Sequence, residues 1–274
     1  MIASCKTNLI ARLNLSFNSL HVKSIIKYIL LSGLRDRLYI GLFITLIAGF
    51  CLSIFLGSTS LIEQNQMTTA FVAGSSRAIL AIGLILFVCL NIGRAFENKE
   101  VEFIISKAIS REKFVLSYLL GFFISAILIF LPLILAIILV LKTNLFGLLI
   151  WSSSLLAEIL IVISFALLSS LILRNPFSAI MASFGFYIIS RLMGMFVLAI
   201  NLPQNLAEAK GHIMQSTLKF LSAIFPRLDL FAQSTWLNYG ATDFGDLKIV
   251  FFQALIYIPL MIFMAFHDFK KKQF

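Results

Sequence analysis

The chain has 274 residues, of which 60% are hydrophobic and only 12% are charged, and its mean hydropathy is +1.01. A soluble domain carries about 25% charged residues, so this composition excludes an ordinary water-soluble fold. The formal net charge is +10, but fifteen of the 22 Lys and Arg fall in segments predicted for one side of a membrane. The charge therefore reflects membrane topology, and no nucleic-acid partner is expected.

The N-terminal segment is basic, and no cleavable secretory signal is expected in it. Residues 1–35 contain no acidic residue, and Asp36 is the first. This composition resembles a mitochondrial import segment, but an excess of cations is also typical of cytoplasmic tails, which is the interpretation we adopt. Residues 9–30 carry apolar side chains at helical spacing opposite polar ones, which predicts an amphipathic helix lying in the cytoplasmic interface.

Six apolar segments are long enough to cross a hydrocarbon core of about 30 Å as helices. The second is short unless its helix extends upstream past Arg77, and the third is long, with Pro132 as the expected kink site. The sequence therefore predicts an all-α integral membrane protein with six transmembrane helices and an N-terminal amphipathic interfacial helix. The predicted spans are residues 38–57, 78–93, 113–141, 148–173, 177–200 and 249–267.

Lys and Arg are distributed unequally between the two sides of these spans. Fifteen of the 22 lie on the side of both termini and six on the other side, while Arg191 lies within the fifth span. Cytoplasmic loops of membrane proteins carry the excess of Lys and Arg. Both termini are therefore predicted to be cytoplasmic.

The most charged part of the chain is residues 94–113, between the second and third spans. Apolar side chains at 103–105 and 109 form a stripe, which predicts a short amphipathic helix at the membrane surface. Ser110 and Glu112 match the cap and first turn of the helix that follows. From periodicity alone, an ordinary solvated loop helix accounts for this segment.

Few ionisable residues lie deep within the predicted spans; Glu158 lies in the fourth and Arg191 in the fifth. Burying either charge alone costs about 2.5–3.5 kcal/mol or more. The two spans are antiparallel, and each charge lies about 15 Å from the outer end of its span, so we predict an intramembrane ion pair. Such a pair either locks the two helices together or belongs to a substrate path or gate, and both interpretations stay open.

The segment from Asn201 to Lys248 is the longest predicted connection outside the membrane. Trp236 and Tyr239 are aromatic residues of the kind expected at the outer interface. The apolar run 218–225 indicates short helices dipping into that interface. The three Cys and three His are scattered along the chain, so no catalytic residue, metal site or bound cofactor is expected here.

The run from Phe96 to Gly121 joins an acidic segment to an isoleucine-rich stretch that ends in Ser and Arg. Its characteristic residues are Glu100, Glu102, Phe103, Ile104, Ile105, Ser106, Ile109, Ser110, Arg111, Phe114, Leu116 and Gly121. The run resembles the first cytoplasmic loop of ABC-2 type transporter permeases, and the order of elements is similar over nearly the whole chain. This chain departs from the family at Ala108, where Pro is frequent, and at Lys99 and Val101, which replace a Gly-Thr region. A second stretch, Ile224 to Phe231, is similar to the motif before the family's final span.

The resemblance implies that residues 1–274 form a single ABC-2 type transmembrane domain and that the charged segment is a coupling helix docking into an ABC ATP-binding subunit. The residues implied in that contact are Glu97, Glu100, Glu102, Phe103, Ile104, Ser110 and Arg111. ATP and Mg²⁺ would belong to that subunit, since this chain has no phosphate-binding loop. The resemblance also implies a homodimer, or pairing with a similar permease, in the lipid of a bacterial inner membrane.

The expected function is that of the membrane-spanning permease of an ATP-driven exporter. The alternative is a membrane-embedded assembly or interaction protein that works without an ATPase. A third class, a lipid-modifying enzyme, needs clustered Asp or His at the cytoplasmic face, where the only Asp residues predicted are Asp36 and Asp268. Co-purification with an ATPase chain separates the first two functions.

Overall fold

A computed structural model of the protein describes residues 23–35, 37–60, 63–101, 103, 111–141, 143–201, 220, 225–240 and 244–271. Of these residues, 91% are helical and none is in a strand. Six of the described helices are long and apolar enough to cross a membrane. The predicted all-α, multi-pass membrane fold is confirmed at this level.

The six long helices are α1 (Leu38–Ser58), α2 (Gln64–Glu97), α3 (Arg111–Val140), α4 (Leu145–Leu173), α5 (Pro176–Asn201) and α6 (Phe244–Lys271). Five of them match the predicted spans to within about five residues at each end. Helix α2 begins at Gln64, upstream of the predicted start at Ala78, and so takes the upstream extension past Arg77 that the short second span left open. Arg77 therefore lies inside α2, and the polar stretch before it is mostly helical.

Local sequence accounts for several helix ends. The side chain of Asn144 accepts a hydrogen bond from the backbone N–H of Phe146 and caps the start of α4. Arg174 ends α4 in the left-handed conformation, and Pro176 begins α5 at the position where its missing N–H costs nothing. Helix α3 continues through Pro132.

Helix α4 is the centre of the bundle, and the most apolar stretch of α4 is 78% buried, against 22% for α1 and α6. The outer helices therefore expose the leucines, isoleucines and phenylalanines that lipid contacts require. Neighbouring helices approach closely where glycine permits it. A Cβ atom at Gly57 in α1 would lie 2.6 Å from the Cα atom of Thr68 in α2.

The two ends of the bundle are chemically different. One end, termed the basic end, contains Arg35, Glu97, Arg111, Arg174 and Lys270. The other, termed the opposite end, contains the α1–α2 turn, the α3–α4 turn and residues 225–240. At the basic end residues 23–35 are helical, with Ile29 fully buried and Lys23 and Lys27 exposed. The remainder of the predicted interfacial helix, residues 9–22, lies outside the described residues.

Candidate functional site

Three charged side chains from three different helices meet inside the bundle. Nη1 of Arg191 in α5 lies 3.9 Å from Oε1 of Glu158 in α4. Glu158 is only 1% exposed, whereas the side chain of Arg191 is 26% exposed. Arg77 in α2 and the phenol of Tyr187 in α5 lie near enough to interact electrostatically with the same carboxylate. The two residues of the predicted ion pair are thus neighbours in a larger charged cluster.

A segment without regular structure reaches this cluster from the opposite end of the bundle. Residues 225–240, termed the inserted segment, contain only a short 3₁₀ turn, Leu228–Leu230, and a short helix, Thr235–Tyr239. Within the segment Leu228, Phe231 and Ala232 are at most 1% exposed. Irregular backbone at membrane depth is stable only when protein groups or water satisfy its polar atoms.

The two arginines of the cluster donate hydrogen bonds to some of the carbonyl groups of the inserted segment. Nη1 of Arg77 donates hydrogen bonds to the carbonyl oxygens of Phe231, at 3.2 Å, and Ala232, at 3.1 Å. Nη1 of Arg191 donates to the carbonyl oxygen of Leu228. Each guanidinium therefore joins its helix to the inserted segment as well as facing Glu158.

Helix α4 completes the support of the inserted segment. The indole nitrogen of Trp151 donates to the carbonyl oxygen of Ala232 at 3.2 Å, and the backbone N–H of Ala232 donates to the hydroxyl of Ser154 at 3.0 Å. Ser154 lies nine residues beyond the start of α4, so the segment penetrates about 14 Å along that helix. Gly147 has no side chain at the point where the backbone of Trp236 crosses α4, which permits this insertion.

Neither carboxylate oxygen of Glu158 accepts a hydrogen bond of normal geometry from a described residue. A buried carboxylate without hydrogen bonds depends on nearby cations for its stabilisation. Arg77 and Arg191 are the cations that fill this role within the described part of the chain. The cluster therefore joins α2, α4 and α5 around one acidic group.

The second group of predicted site residues lies at the basic end. The hydroxyl of Tyr28 donates to the Glu100 carboxylate, 2.8 Å from Oε2 and 3.0 Å from Oε1. Nη1 of Arg111, at the start of α3, donates to the carbonyl oxygens of Phe269, at 3.1 Å, and Lys270, at 2.8 Å, at the end of α6. Lys270 also forms an ion pair with Glu112.

The predicted coupling segment is only partly described. Helix α2 ends at Glu97, Lys99 takes the left-handed conformation with φ 56°, and helical residues follow at 100, 101 and 103. Glu97 and Phe103 are exposed. The remaining residues implied in the partner contact, Glu102, Ile104 and Ser110, lie outside the described residues.

Sequence reasoning missed Arg77 and the inserted segment. The sequence gives Arg77 no role in the charged cluster, although the apolar residues between Met67 and Ala73 continue the helix of the second span. Trp236 is 5% exposed and packs inside the protein, while Tyr239 is exposed. The composition of the stretch Phe225–Phe231 indicates burial, since its apolar residues are too numerous for a solvated loop.

Among the described residues no group of three or more His, Cys, Asp or Glu side chains is placed to hold a metal ion. No family model matches the chain, and no curated protein is significantly similar to it.

Proposed function

We propose that this chain is the membrane-spanning permease of an ATP-driven exporter and that it works with a separate ATP-binding subunit. The motif resemblance of residues 96–121 and the six long apolar helices support this proposal. ATP and Mg²⁺ would be bound by the partner subunit. The proposal places the protein in a bacterial inner membrane, with its basic end and both termini in the cytoplasm and a second permease chain completing the transporter.

The observation that carries the proposal is the way the basic end is connected. The segment that follows α2 is bonded through Glu100 to Tyr28 of the N-terminal helix, and Arg111 at its far side is bonded to the end of α6. A force applied between these points would act on both the N-terminal helix and α6. A coupling segment needs such connections, whereas a solvated loop does not.

Two exposed residues of the segment are suited to contact a partner. Glu97 offers a carboxylate at the end of α2, and Phe103 offers an apolar ring that is 61% exposed. Interfaces combine apolar anchors of this kind with a charged rim. Glu100 and Arg111 have bonds within the chain, so their substitution would disturb the fold as well as a partner contact.

Affinity purification in mild detergent tests the proposal. The tagged chain should bring down a polypeptide with a phosphate-binding loop in equal amount, identified by mass spectrometry, and the complex should hydrolyse ATP. Glu97→Lys combined with Phe103→Ala should abolish this association while leaving yield unchanged. The matched control is Glu63→Lys combined with Leu145→Ala, which changes an exposed acid and an exposed apolar residue at the opposite end. Purification without any ATPase would favour the assembly protein and overturn the exporter.

A further inference from the structure

A cavity of about 400 Å³ lies at the opposite end of the bundle, between α2, α5 and the inserted segment. Arg77 and Arg191 line it, and Asp229 contributes a carboxylate. Gly74, one turn before Arg77 in α2, forms part of its wall, and the exposed Thr235 lies at its rim. The cavity therefore connects the charged cluster to the surface at this end.

The charges around the cavity do not balance. Asp229 is paired with Arg227, whose Nη2 lies 2.9 Å from Oδ2. The two positive charges of Arg77 and Arg191 face the single negative charge of Glu158, so the described cluster has one positive charge in excess. Glu158 is buried and the Arg191 side chain is only partly exposed, so water screens this excess incompletely, and one monovalent anion would neutralise the cluster.

The two arginines also retain hydrogen-bonding capacity. Each guanidinium has five N–H donors, and in both residues only Nη1 donates to a described residue. The planar fork of a guanidinium matches the oxygens of carboxylate and phosphate groups. Two such forks in one cavity could hold an anionic group from two sides.

We infer that this cavity binds a monovalent anionic group, a carboxylate or a phosphodiester, between Arg77 and Arg191. The site requires no ATP-binding subunit, so the inference does not depend on the exporter proposal. The same chemistry could come from a soluble anion or from the headgroup of an anionic lipid. Both sources would reach the arginines past Thr235.

The protein's own tryptophans provide a direct readout. Trp151 and Trp236 are the two tryptophans of the chain, and Trp151 is bonded to Ala232 in the cavity wall. Purified protein in dodecyl maltoside micelles would be titrated with acetate, with dimethyl phosphate, and separately with phosphatidylglycerol, at constant ionic strength. A saturable change in fluorescence is expected with at least one probe. A response to the soluble probes identifies a free anion, and a response to phosphatidylglycerol alone identifies a lipid headgroup.

Variants of the cavity wall separate binding from folding. A Cβ atom at Gly74 would meet no other atom within 4 Å, so a side chain fits there. Gly74→Asp places a carboxylate one turn from Arg77 and should replace the bound anion, whereas Gly74→Asn adds the same volume without charge. Gly74→Asp should abolish the response to the probes and unfold at a higher temperature than Gly74→Asn, which should still respond.

Loss of one arginine provides the converse test. Arg191→Gln should weaken the apparent affinity about tenfold or more, because a charge-assisted hydrogen bond is lost. The matched control Lys248→Gln removes an exposed cation outside the cavity and should change nothing. The inference is overturned if no probe gives a saturable response, or if Gly74→Asp and Gly74→Asn respond and unfold alike.

Discussion

The indole nitrogen of Trp151 donates a hydrogen bond to the carbonyl oxygen of Ala232, 3.2 Å away, and so joins the second turn of α4 to a segment that is not helical. Ala232 is 1% exposed and has a positive φ of 46°, which is unusual for a residue with a side chain. Both of its backbone polar groups are bonded to side chains of α4, because Ser154 accepts from its N–H. Irregular backbone thus persists inside an apolar bundle because helix side chains provide its partners.

The first prediction concerns the hydrogen bond between Ser154 and the backbone of Ala232. Ser154→Ala should lower the free energy of unfolding by about 1–3 kcal/mol, because it leaves the buried N–H of Ala232 without a partner. Ser153→Ala is the matched control, since Ser153 is only half-buried and its hydroxyl bonds to a carbonyl of its own helix. Thermal unfolding in detergent measures both variants. Equal effects would show that the Ser154 bond contributes nothing specific.

The second prediction concerns the charged cluster. Glu158→Gln should lower the free energy of unfolding by about 3 kcal/mol, because it leaves two guanidiniums facing each other without their counter-charge. Combined with Arg191→Gln, the loss should be smaller than the sum of the two single losses, by about 0.5–3 kcal/mol. Strict additivity in a double-mutant cycle would show that the two residues do not interact.

The third prediction distinguishes a simple pair from a cluster. Exchanging the two charges, with Glu158→Arg and Arg191→Glu together, should not restore stability, because a cation at position 158 would face Arg77 and a carboxylate at position 191 cannot donate to the carbonyl oxygen of Leu228. An isolated ion pair would tolerate the exchange. The folded yield in gel filtration is the measurement, and recovery to the level of the unmodified protein would show that neither Arg77 nor the bond to Leu228 fixes the orientation of the pair.

The fourth prediction concerns the connection at the basic end. If the segment after α2 transmits force, Tyr28→Phe should reduce ATP-dependent transport while the ATP-binding subunit still co-purifies, because the hydrogen bond to Glu100 is lost and the aromatic ring is kept. The control is Tyr239→Phe, which removes an exposed tyrosine hydrogen bond to Gln66 at the opposite end. Comparable losses in both variants would argue against a specific connection.

The fifth prediction tests the orientation. In a background without native cysteines, single cysteines at Gln64 and Leu145 should react with an impermeant reagent in intact cells, and one at Glu97 should not. All three positions are exposed, so differences in labelling report the side of the membrane. Labelling at Glu97 would reverse the proposed topology.

Much of the candidate site was accessible to sequence reasoning. Glu158 and Arg191 were expected at one depth because a three-residue turn joins two antiparallel spans, and the structure places their charged atoms 3.9 Å apart. Arg77 was not expected there, because a single arginine after a polar stretch resembles a helix end. The inserted segment was not expected either, since its bonds to Trp151, Ser154 and Arg191 join residues that are 37 to 81 positions apart in the chain.

The sequence by itself determined the six long apolar helices of the described residues and the approximate bounds of five of them, because every backbone group in a lipid environment must be paired within a local, periodic structure. Only the tertiary structure decided which helix is central, which aromatic residues are buried, and where the irregular segment near the end of the chain lies. These features depend on close approaches such as Trp236 against Gly147 and on hydrogen bonds between distant residues. The hydropathy of the sequence does not predict such contacts, because an apolar side chain gains similar energy from lipid and from another helix.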